Sequence, residues 1–360
     1  MGLLYWRRSS PIPMTQQTIY QNHQIQTNLF LYQPRVSPKP PKEWKEPTMT
    51  SGAEPRPKGV RLVVRDFDIL LALHTARYLT TQQIERLFWR ESRGGTWGRT
   101  KACQQRLRRL LDYGLIRRIE QPVKRGERSL PYIYALDRKG ADLLVAEMGI
   151  DPQEVDWKAK AQEENYPFLE HLLTTTDFHI ALQLGCEASG VHLADWMDEK
   201  ELKSAQNADY VTLTSPSGGQ SRAAVVPDGY FKLCREEKCG LFFLEVDLKT
   251  VTIAPSVWER RGWMRRIRAY VEYFRSETYR TKYGTRRARL VTVTSSDLRL
   301  QNLKKATEEV FRQLRELGED ATAQNRFWFT LLDDSLEPAQ LLTSPIWHVA
   351  GSDELRSLMD

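Results

Sequence analysis

The chain has 360 residues and a mass of 41.9 kDa. At roughly 150 residues per domain, this length predicts about two domains. No run of residues approaches the ~20 apolar residues of a membrane helix, and the first residues lack the apolar core of a secretion signal. We therefore exclude an integral membrane protein and expect a cytoplasmic one.

Positive charge is concentrated in one part of the chain, whose net charge is +7. Residues 61–150 hold 18 basic and 10 acidic residues, whereas the other 270 residues hold 35 basic and 36 acidic ones. This quarter of the chain carries the whole positive excess. Such a local excess favours a polyanionic partner, and nucleic acid before a membrane.

Composition also divides the chain. Residues 1–58 are rich in proline and glutamine and predict a disordered tail, because proline lacks a backbone donor and restricts the residue before it. We expect a first domain over 60–150, a polar, acidic linker over 151–166 and a second domain over 167–335. Residues 336–360 are predicted to form a C-terminal tail.

The cysteines follow no zinc-binding spacing. Cys234 and Cys239 lie five residues apart across a polar turn and could oxidise to a disulfide. Since the chain has cytosolic features, we expect both thiols to be reduced.

Apolar periodicity in the first domain predicts three helices followed by a two-stranded hairpin and a closing helix. Thr80 is expected to cap the second helix, with Gln83 completing a capping box. The predicted helices span 67–73, 80–88, 100–113 and 138–148, and the predicted strands span 115–119 and 132–136. This order is that of a winged helix, whose third helix enters the major groove of DNA while the hairpin reaches the backbone.

The third helix and the hairpin tip carry the candidate DNA-binding side chains. These residues are Lys101, Gln105, Arg106, Arg108, Arg109, Lys124, Arg125 and Arg128. Winged helices also serve as protein-docking modules, and a basic helix face is often only solvated. The local charge excess favours double-stranded DNA as the partner.

The second domain alternates helical and extended patterns, which predicts an α/β arrangement. Predicted helices cover 168–186, 258–274 and 302–317, and predicted strands cover 223–226, 241–246, 289–294 and 327–332. The fold class predicted for the whole chain is therefore mixed, α+β with an α/β second domain. The 258–274 helix is rich in arginine and aromatic residues. It either packs its aromatic residues on the sheet and only exposes its arginines, or uses the arginines to steer a phosphate backbone.

Ionisable side chains gather at the ends of two predicted strands. Asp228 follows an apolar strand at a Pro-Asp-Gly turn, and Glu245, Asp247 and Lys249 alternate along the next strand, so that they share one face. Burying such groups is costly unless they pair or hold a cation. Carboxylates that hold Mg²⁺, with Lys249 orienting a water, suit phosphodiester cleavage.

This spacing resembles that of the PD-(D/E)xK nuclease superfamily. The resemblance implies that Asp228 and Asp247 bind the metal and that Lys249 is the catalytic lysine, with Glu245 beside them. It also implies a further acid near the first helix. Glu170, Asp177, Glu199 and Glu201 are all candidates, with Glu170 the first, and spacing does not choose between them. We interpret His171 and His179 as polar contacts.

Several short motifs together resemble the replication-relaxation family of bacterial plasmids and mobile elements. They are Arg65-x-x-Asp68-Ile69-Leu70, Leu79-Thr80-x-x-Gln83-Ile84, Arg106-Leu107-x-x-Leu110-x-x-x-Gly114-Leu115-Ile116, Glu170-His171-Leu172, Trp196-x-x-Glu199, Pro227-Asp228-Gly229 and Leu244-Glu245-Val246-Asp247-x-x-Thr250. The resemblance covers about residues 60–300. The usual family pattern is closer to Glu-Val-Asp-Arg-Gly-Thr, from which Leu248 and Lys249 depart.

The resemblance implies a DNA-binding accessory or regulatory protein of plasmid or mobile-element replication, or of DNA relaxation and mobilisation. One alternative is an active Mg²⁺-dependent endonuclease, or nickase, that uses Asp228, Asp247 and Lys249. Another is a scaffold that recruits a relaxase or a replication protein. The DNA target, the protein partners and the oligomeric state stay open.

Overall fold

The computed structural model describes residues 61–90, 95–119, 131–155, 157, 166–204, 208–215, 218–248, 252–253, 262–284, 287–332 and 337–359. The predicted tail over 1–58, the hairpin tip with Lys124, Arg125 and Arg128, and Lys249 lie outside these residues. Within them the chain combines helices with a large mixed sheet, which confirms the predicted mixed class. None of the described helices is long and apolar enough to cross a membrane.

The N-terminal part follows the predicted order of elements. Its elements are α1 (Val64–Ala76), β1 (Leu79–Thr80), α2 (Thr81–Phe88), α3 (Gly95–Asp112), β2 (Ile116–Ile119), β3 (Ile133–Leu136) and α4 (Arg138–Met148). The strands form an antiparallel sheet in the order β1-β3-β2. The helix predicted over 100–113 begins five residues earlier, at Gly95.

The start of α2 is fixed by the predicted capping box. The backbone N–H of Gln83 donates to Thr80 Oγ1 at 3.2 Å, and the backbone N–H of Thr80 donates to Gln83 Oε1 at 2.8 Å. The two bonds satisfy donors that a helix start otherwise leaves unpaired. Gly114 ends α3 with a positive φ of 68°, a conformation that glycine adopts without steric cost.

The C-terminal part is built around a seven-stranded sheet. Its elements are α5 (Tyr166–Ser189), β4 (His192–Asp198), α6 (Glu199–Leu202), β5 (Asp209–Thr214), β6 (Gln220–Val225), β7 (Gly229–Arg235), β8 (Lys238–Asp247), α7 (Trp263–Arg275), α8 (Glu277–Tyr283), β9 (Ala288–Thr294), α9 (Asp297–Glu316), β10 (Phe327–Leu331), α10 (Pro338–Thr343), β11 (Trp347–Val349) and β12 (Leu355–Arg356). The sheet order is β12-β11-β10-β9-β8-β7-β4, and β5 and β6 form a separate ribbon.

The sheet changes from antiparallel to parallel at β8. Strands β4, β7 and β8 are antiparallel neighbours, whereas β8, β9 and β10 are parallel. A parallel pair needs a long crossover, which α7 with α8 provides from β8 to β9, and α9 provides from β9 to β10. This arrangement brings the beginning of β7 and the ends of β8 and β9 to one end of the sheet.

Helices cover both faces of the sheet, which explains why β8 is apolar on both sides. Phe243 packs in one core with Ile267 of α7 and Val310 of α9. The next residue, Leu244, packs in the opposite core with Leu182 of α5 and with residues of α10. Side chains along β8 therefore alternate between two helical layers.

Helix α5 also packs against the N-terminal part. Ile180 and Leu184 belong to the N-terminal core, and Leu173 packs with Ile133 of β3. The side-chain amide of Gln83 donates from Nε2 to the backbone oxygen of Leu173 at 2.9 Å. One helix is therefore shared by the two parts of the chain.

The C-terminal segment differs from the predicted tail over 336–360. Its residues form α10, β11 and β12, and β11 pairs with β10. Trp347 is fully buried, and its Nε1 donates to the backbone oxygen of Leu341 at 2.9 Å. The apolar residues of this segment are too few and too interrupted to produce a clear periodicity, so the sequence pattern missed them.

The prediction of two reduced thiols at Cys234 and Cys239 is wrong in this structure. The two residues face each other across β7 and β8, with 4.1 Å between their Cα atoms, and they form a disulfide. Their spacing across a tight hairpin makes them direct cross-strand neighbours, which the sequence analysis treated only as a turn. Cys103 and Cys186 are buried and free.

We predict that Trp347→Ala lowers the free energy of unfolding by about 3–5 kcal/mol, because it empties a large site in the sheet core. Leu355→Ala on the neighbouring β12 is the control: that side chain is exposed, so a change within about 0.5 kcal/mol is expected. Urea denaturation measures both values. Equal stability of the two variants would show that the C-terminal segment does not complete the core.

Candidate functional site

Three acidic residues lie at one end of the seven-stranded sheet. Asp228 immediately precedes β7, while Glu245 and Asp247 lie at the end of β8. Since Gly229 pairs with Leu244, the same register places Asp228 beside Glu245. All three are buried, with exposed fractions of 7%, 1% and 2%. Sequence reasoning therefore found a real concentration of buried acids.

Asp228 is held by the backbone of β8 and by His171 of α5. Its Oδ2 accepts a hydrogen bond from the Val246 N–H at 2.7 Å and lies 3.2 Å from His171 Nε2. The same Nε2 lies 3.1 Å from the backbone oxygen of Val246. Burial lowers the pKa of His171, but the hydrogen bond to Asp228 and the charges of Asp228, Glu199 and Glu245 raise it to about 9. A protonated His171 donates to Asp228 at neutral pH.

Glu245 is bound by two residues of α7. Its Oε2 accepts from Arg266 Nη1, and its Oε1 accepts from Tyr270 Oη at 2.7 Å. Burial raises the pKa of Glu245, and the charge of Arg266 opposes this rise. Glu245 in turn raises the pKa of Arg266, so the guanidinium stays charged.

Asp247 pairs with Arg299 at the start of α9. Arg299 donates from Nε to Oδ1 at 2.7 Å and from Nη2 to Oδ2 at 2.9 Å. Such a two-bond contact between a guanidinium and a carboxylate fixes both groups in orientation. Arg299 thus engages both oxygens of Asp247, on the face of the sheet that α7 and α9 cover.

These contacts do not fit the Mg²⁺ site predicted for Asp228 and Asp247. Each acid already faces a cationic side chain within hydrogen-bonding or ion-pair distance. Within the described residues, no group of three or more His, Cys, Asp or Glu side chains is placed to hold a metal ion. Magnesium binds through carboxylate oxygens, and here both oxygens of Asp247 are directed at Arg299, while Asp228 Oδ2 is engaged by the Val246 N–H and His171.

The candidates for an additional acid occupy different environments. Glu170 is exposed on α5, and Asp177 lies 3.8 Å from Arg86 of α2. Glu199 contacts Lys203 and acts electrostatically on His171. Of these candidates, Glu199 is the one whose charge acts on His171, which contacts Asp228.

The described arginines of α7 make contacts within the chain. Arg266 pairs with Glu245, and Arg268 is buried against Glu319. Arg265 reaches Ser221 of the β5–β6 ribbon at 3.1 Å. The partners come from distant parts of the chain, so charge density along the helix did not reveal them.

A second candidate site is the outer face of α3. Cys103, Leu107 and Leu110 face the core. The opposite face is exposed and consists of Trp97, Lys101, Gln104, Gln105, Arg108 and Arg109. Trp97 is 75% exposed, and Lys101 Nζ lies 4.8 Å from its ring centroid. Sequence reasoning missed Trp97 because it placed the start of the helix after it.

Arg106 departs from the other predicted DNA-binding residues of α3. It donates from Nε to Asp66 Oδ1 at 2.5 Å and from Nη2 to Asp66 Oδ2. Asp66 is completely buried in α1 and also accepts from the Val63 N–H. Arg106 therefore has an internal partner and does not belong to the exposed face.

The hairpin contributes a further basic residue beside α3. Arg118 of β2 is exposed and stacks over Tyr132, with 4.2 Å between its guanidinium carbon and the ring centroid. Tyr132 is 45% exposed. Neither residue was among the predicted contacts, although their cross-strand proximity follows from the alternating pattern of the hairpin.

The helix and strand order, together with the buried acids, fits an α/β nuclease-like domain that follows a smaller helical part. A family model described as replication-relaxation matches residues 70–288. The chain therefore belongs to the replication-relaxation family, which suggests a role in the replication or relaxation of plasmid or mobile-element DNA. No curated protein and no solved structure matches the chain.

We predict that Arg106→Ala lowers the free energy of unfolding by about 3 kcal/mol, because it leaves the buried Asp66 without its cation. Arg108→Ala removes an exposed arginine two residues away and is expected to change stability by less than about 0.5 kcal/mol. Thermal and urea unfolding compare the two. An Arg106→Ala variant as stable as the wild type would contradict the inference that Arg106 pairs with the buried Asp66.

Proposed function

We propose that the chain is a DNA-binding accessory or regulatory protein of plasmid or mobile-element replication or relaxation. Its N-terminal part acts as a winged helix on double-stranded DNA. The observation that supports this best is the outer face of α3, where Lys101, Arg108 and Arg109 are exposed opposite the buried face of the helix.

The chemistry of this face suits duplex DNA. The major groove of B-DNA admits an α-helix, and lysine and arginine donate both to phosphates and to guanine edges. The amide groups of Gln104 and Gln105 can donate and accept hydrogen bonds, as adenine recognition requires. Arg118, stacked on Tyr132, adds a cation on the hairpin side, where a winged helix contacts the backbone.

The nuclease-like domain is proposed to support DNA binding rather than to cut DNA. Its buried acids are paired with His171, Arg266 and Arg299, so their side chains serve the packing of helices on the sheet. Helix α5 carries His171 and also packs on the N-terminal core. In this proposal the domain holds the N-terminal part in place and offers further surface for a relaxase or a replication protein.

An active Mg²⁺-dependent endonuclease of the PD-(D/E)xK type is the alternative. The position of Asp228 before β7, next to the end of β8, favours it, since two acids at adjacent strand ends can share a cation. In this alternative Asp228 and Glu245 or Asp247 hold the metal, and Lys249, which lies outside the described residues, acts on the phosphate.

The first prediction from the proposal concerns DNA affinity. We expect the full chain to bind a labelled duplex of mixed sequence in a fluorescence anisotropy titration, with affinity falling steeply as salt rises. The double variant Arg108→Ala/Arg109→Ala should weaken binding at least ~10-fold and lower the slope of log K against log salt by about 2, because two phosphate contacts are lost.

The matched control is Arg312→Ala/Arg356→Ala. It removes the same charge from exposed ion pairs in the C-terminal part, where each pair contributes little to stability. Unchanged binding in this control separates a local contact from an effect of net charge. Equal weakening by both double variants, or no binding of the wild type at low salt, would refute the proposal.

We predict that the nuclease-like domain does not cut DNA. Purified protein incubated with supercoiled plasmid and Mg²⁺ or Mn²⁺ should leave the plasmid supercoiled, since the acids are engaged by cationic side chains. Metal-dependent nicking that disappears in both Asp228→Asn and Lys249→Ala would establish the endonuclease instead. Nicking that survives in both variants identifies a contaminating nuclease.

A further inference from the structure

Asp228 and Glu245 are neighbouring buried acids, and while His171 faces Asp228, Glu245 needs a positive charge of its own. The two residues lie side by side at the ends of antiparallel strands, with exposed fractions of 7% and 1%. Two ionised carboxylates on neighbouring strand residues repel each other, and burial removes the water that would screen them. A divalent cation held by the carboxylates would be one solution; the contacts of Glu245 show another.

Arg266 supplies that charge from the first turn of α7. Its Nη1 contacts Glu245 Oε2, and both Glu245 and Asp228 favour its charged form. Tyr270, one turn further along the same helix, binds the second oxygen of Glu245 at 2.7 Å. The guanidinium is therefore held between strand and helix, within the field of both acids.

The opposite side of the pair is closed as well. Asp228 Oδ2 receives the Val246 N–H at 2.7 Å and lies 3.2 Å from His171 Nε2. A metal ion bound by Asp228 and Glu245 would have Arg266 and His171 as close neighbours. Repulsion between a divalent cation and a guanidinium at short range in a buried site opposes metal binding.

We propose that Arg266, bound to Glu245, takes the place that a divalent cation would have beside Glu245 and Asp228, so that the acid cluster is a metal-independent site which joins α7 to the ends of β7 and β8. A covalently attached cation provides charge balance at any metal concentration. It cannot acidify a water as a metal ion does. The inference does not depend on DNA binding and stands or fails separately from it.

The proposal is tested by melting curves with and without MgCl₂ or MnCl₂. Wild-type protein should show no shift in Tm with either salt, beyond the shift caused by NaCl of equal ionic strength. Arg266→Met keeps most of the apolar stem but removes the charge, and should lower Tm by about 5 °C or more. In this variant Mn²⁺ should raise Tm by about 3 °C, because the uncovered carboxylates then bind a cation in the native state only.

Arg265→Met is the matched control. Arg265 is adjacent on α7, but it reaches Ser221 and not the acids, so neither a comparable loss of Tm nor a response to metal is expected. Arg266→Lys, which keeps a positive charge, should be more stable than Arg266→Met and should not respond to metal. This second variant carries the test if Arg266→Met does not fold.

Three results would overturn the proposal. The first is a metal-dependent rise in the Tm of the wild type that Asp228→Asn removes, since it demonstrates a metal site. The second is an Arg266→Met variant as stable as the wild type. The third is a folded Arg266→Met variant whose Tm does not change with Mn²⁺. If Arg266 occupies the position of a metal ion, its removal should allow a metal ion to bind there.

Discussion

The burial of three carboxylates at one end of the sheet is the constraint on which the rest of the structure depends. Asp228, Glu245 and Asp247 are almost inaccessible to water, so each needs a partner that offsets the cost of desolvation. Those partners come from three different helices, α5, α7 and α9. The pairing thereby joins helices of both layers to the same end of the sheet.

Helix α5 extends this constraint to the N-terminal part. Its side chains contact the acid cluster through His171, the sheet core through Leu182 and the N-terminal core through Ile180. A helix that is buried on several sides does not show a single narrow apolar stripe. The amide of Gln83 completes the connection, because it closes the capping box of α2 and also binds the backbone of α5.

Local features of the sequence predicted local structure well. The capping box at Thr80 and the helix Arg138–Met148 are present as predicted, since both depend on residues a few positions apart. The partners of the charged residues could not be predicted in this way. Arg266 and Glu245 are 21 residues apart, Asp66 and Arg106 are 40 apart, and Asp247 and Arg299 are 52 apart. Only the packed fold brings them together, so sequence reasoning located the acids and placed Arg106 on the wrong face.

Strand register also changes how the acidic motif is understood. Spacing along the sequence associates Asp228 with Asp247, because an Asp-x-Lys follows a Pro-Asp at the usual distance. The antiparallel register instead places Asp228 beside Glu245, and the two-residue period of a strand moves Asp247 one step further along the same face. There Asp247 meets Arg299, whose position at the start of α9 is fixed by the parallel pairing of β8 with β9. Asp228 and Asp247 therefore pair with different cations, His171 of α5 and Arg299 of α9. A short motif that assigns both acids to one site combines two separate ion pairs.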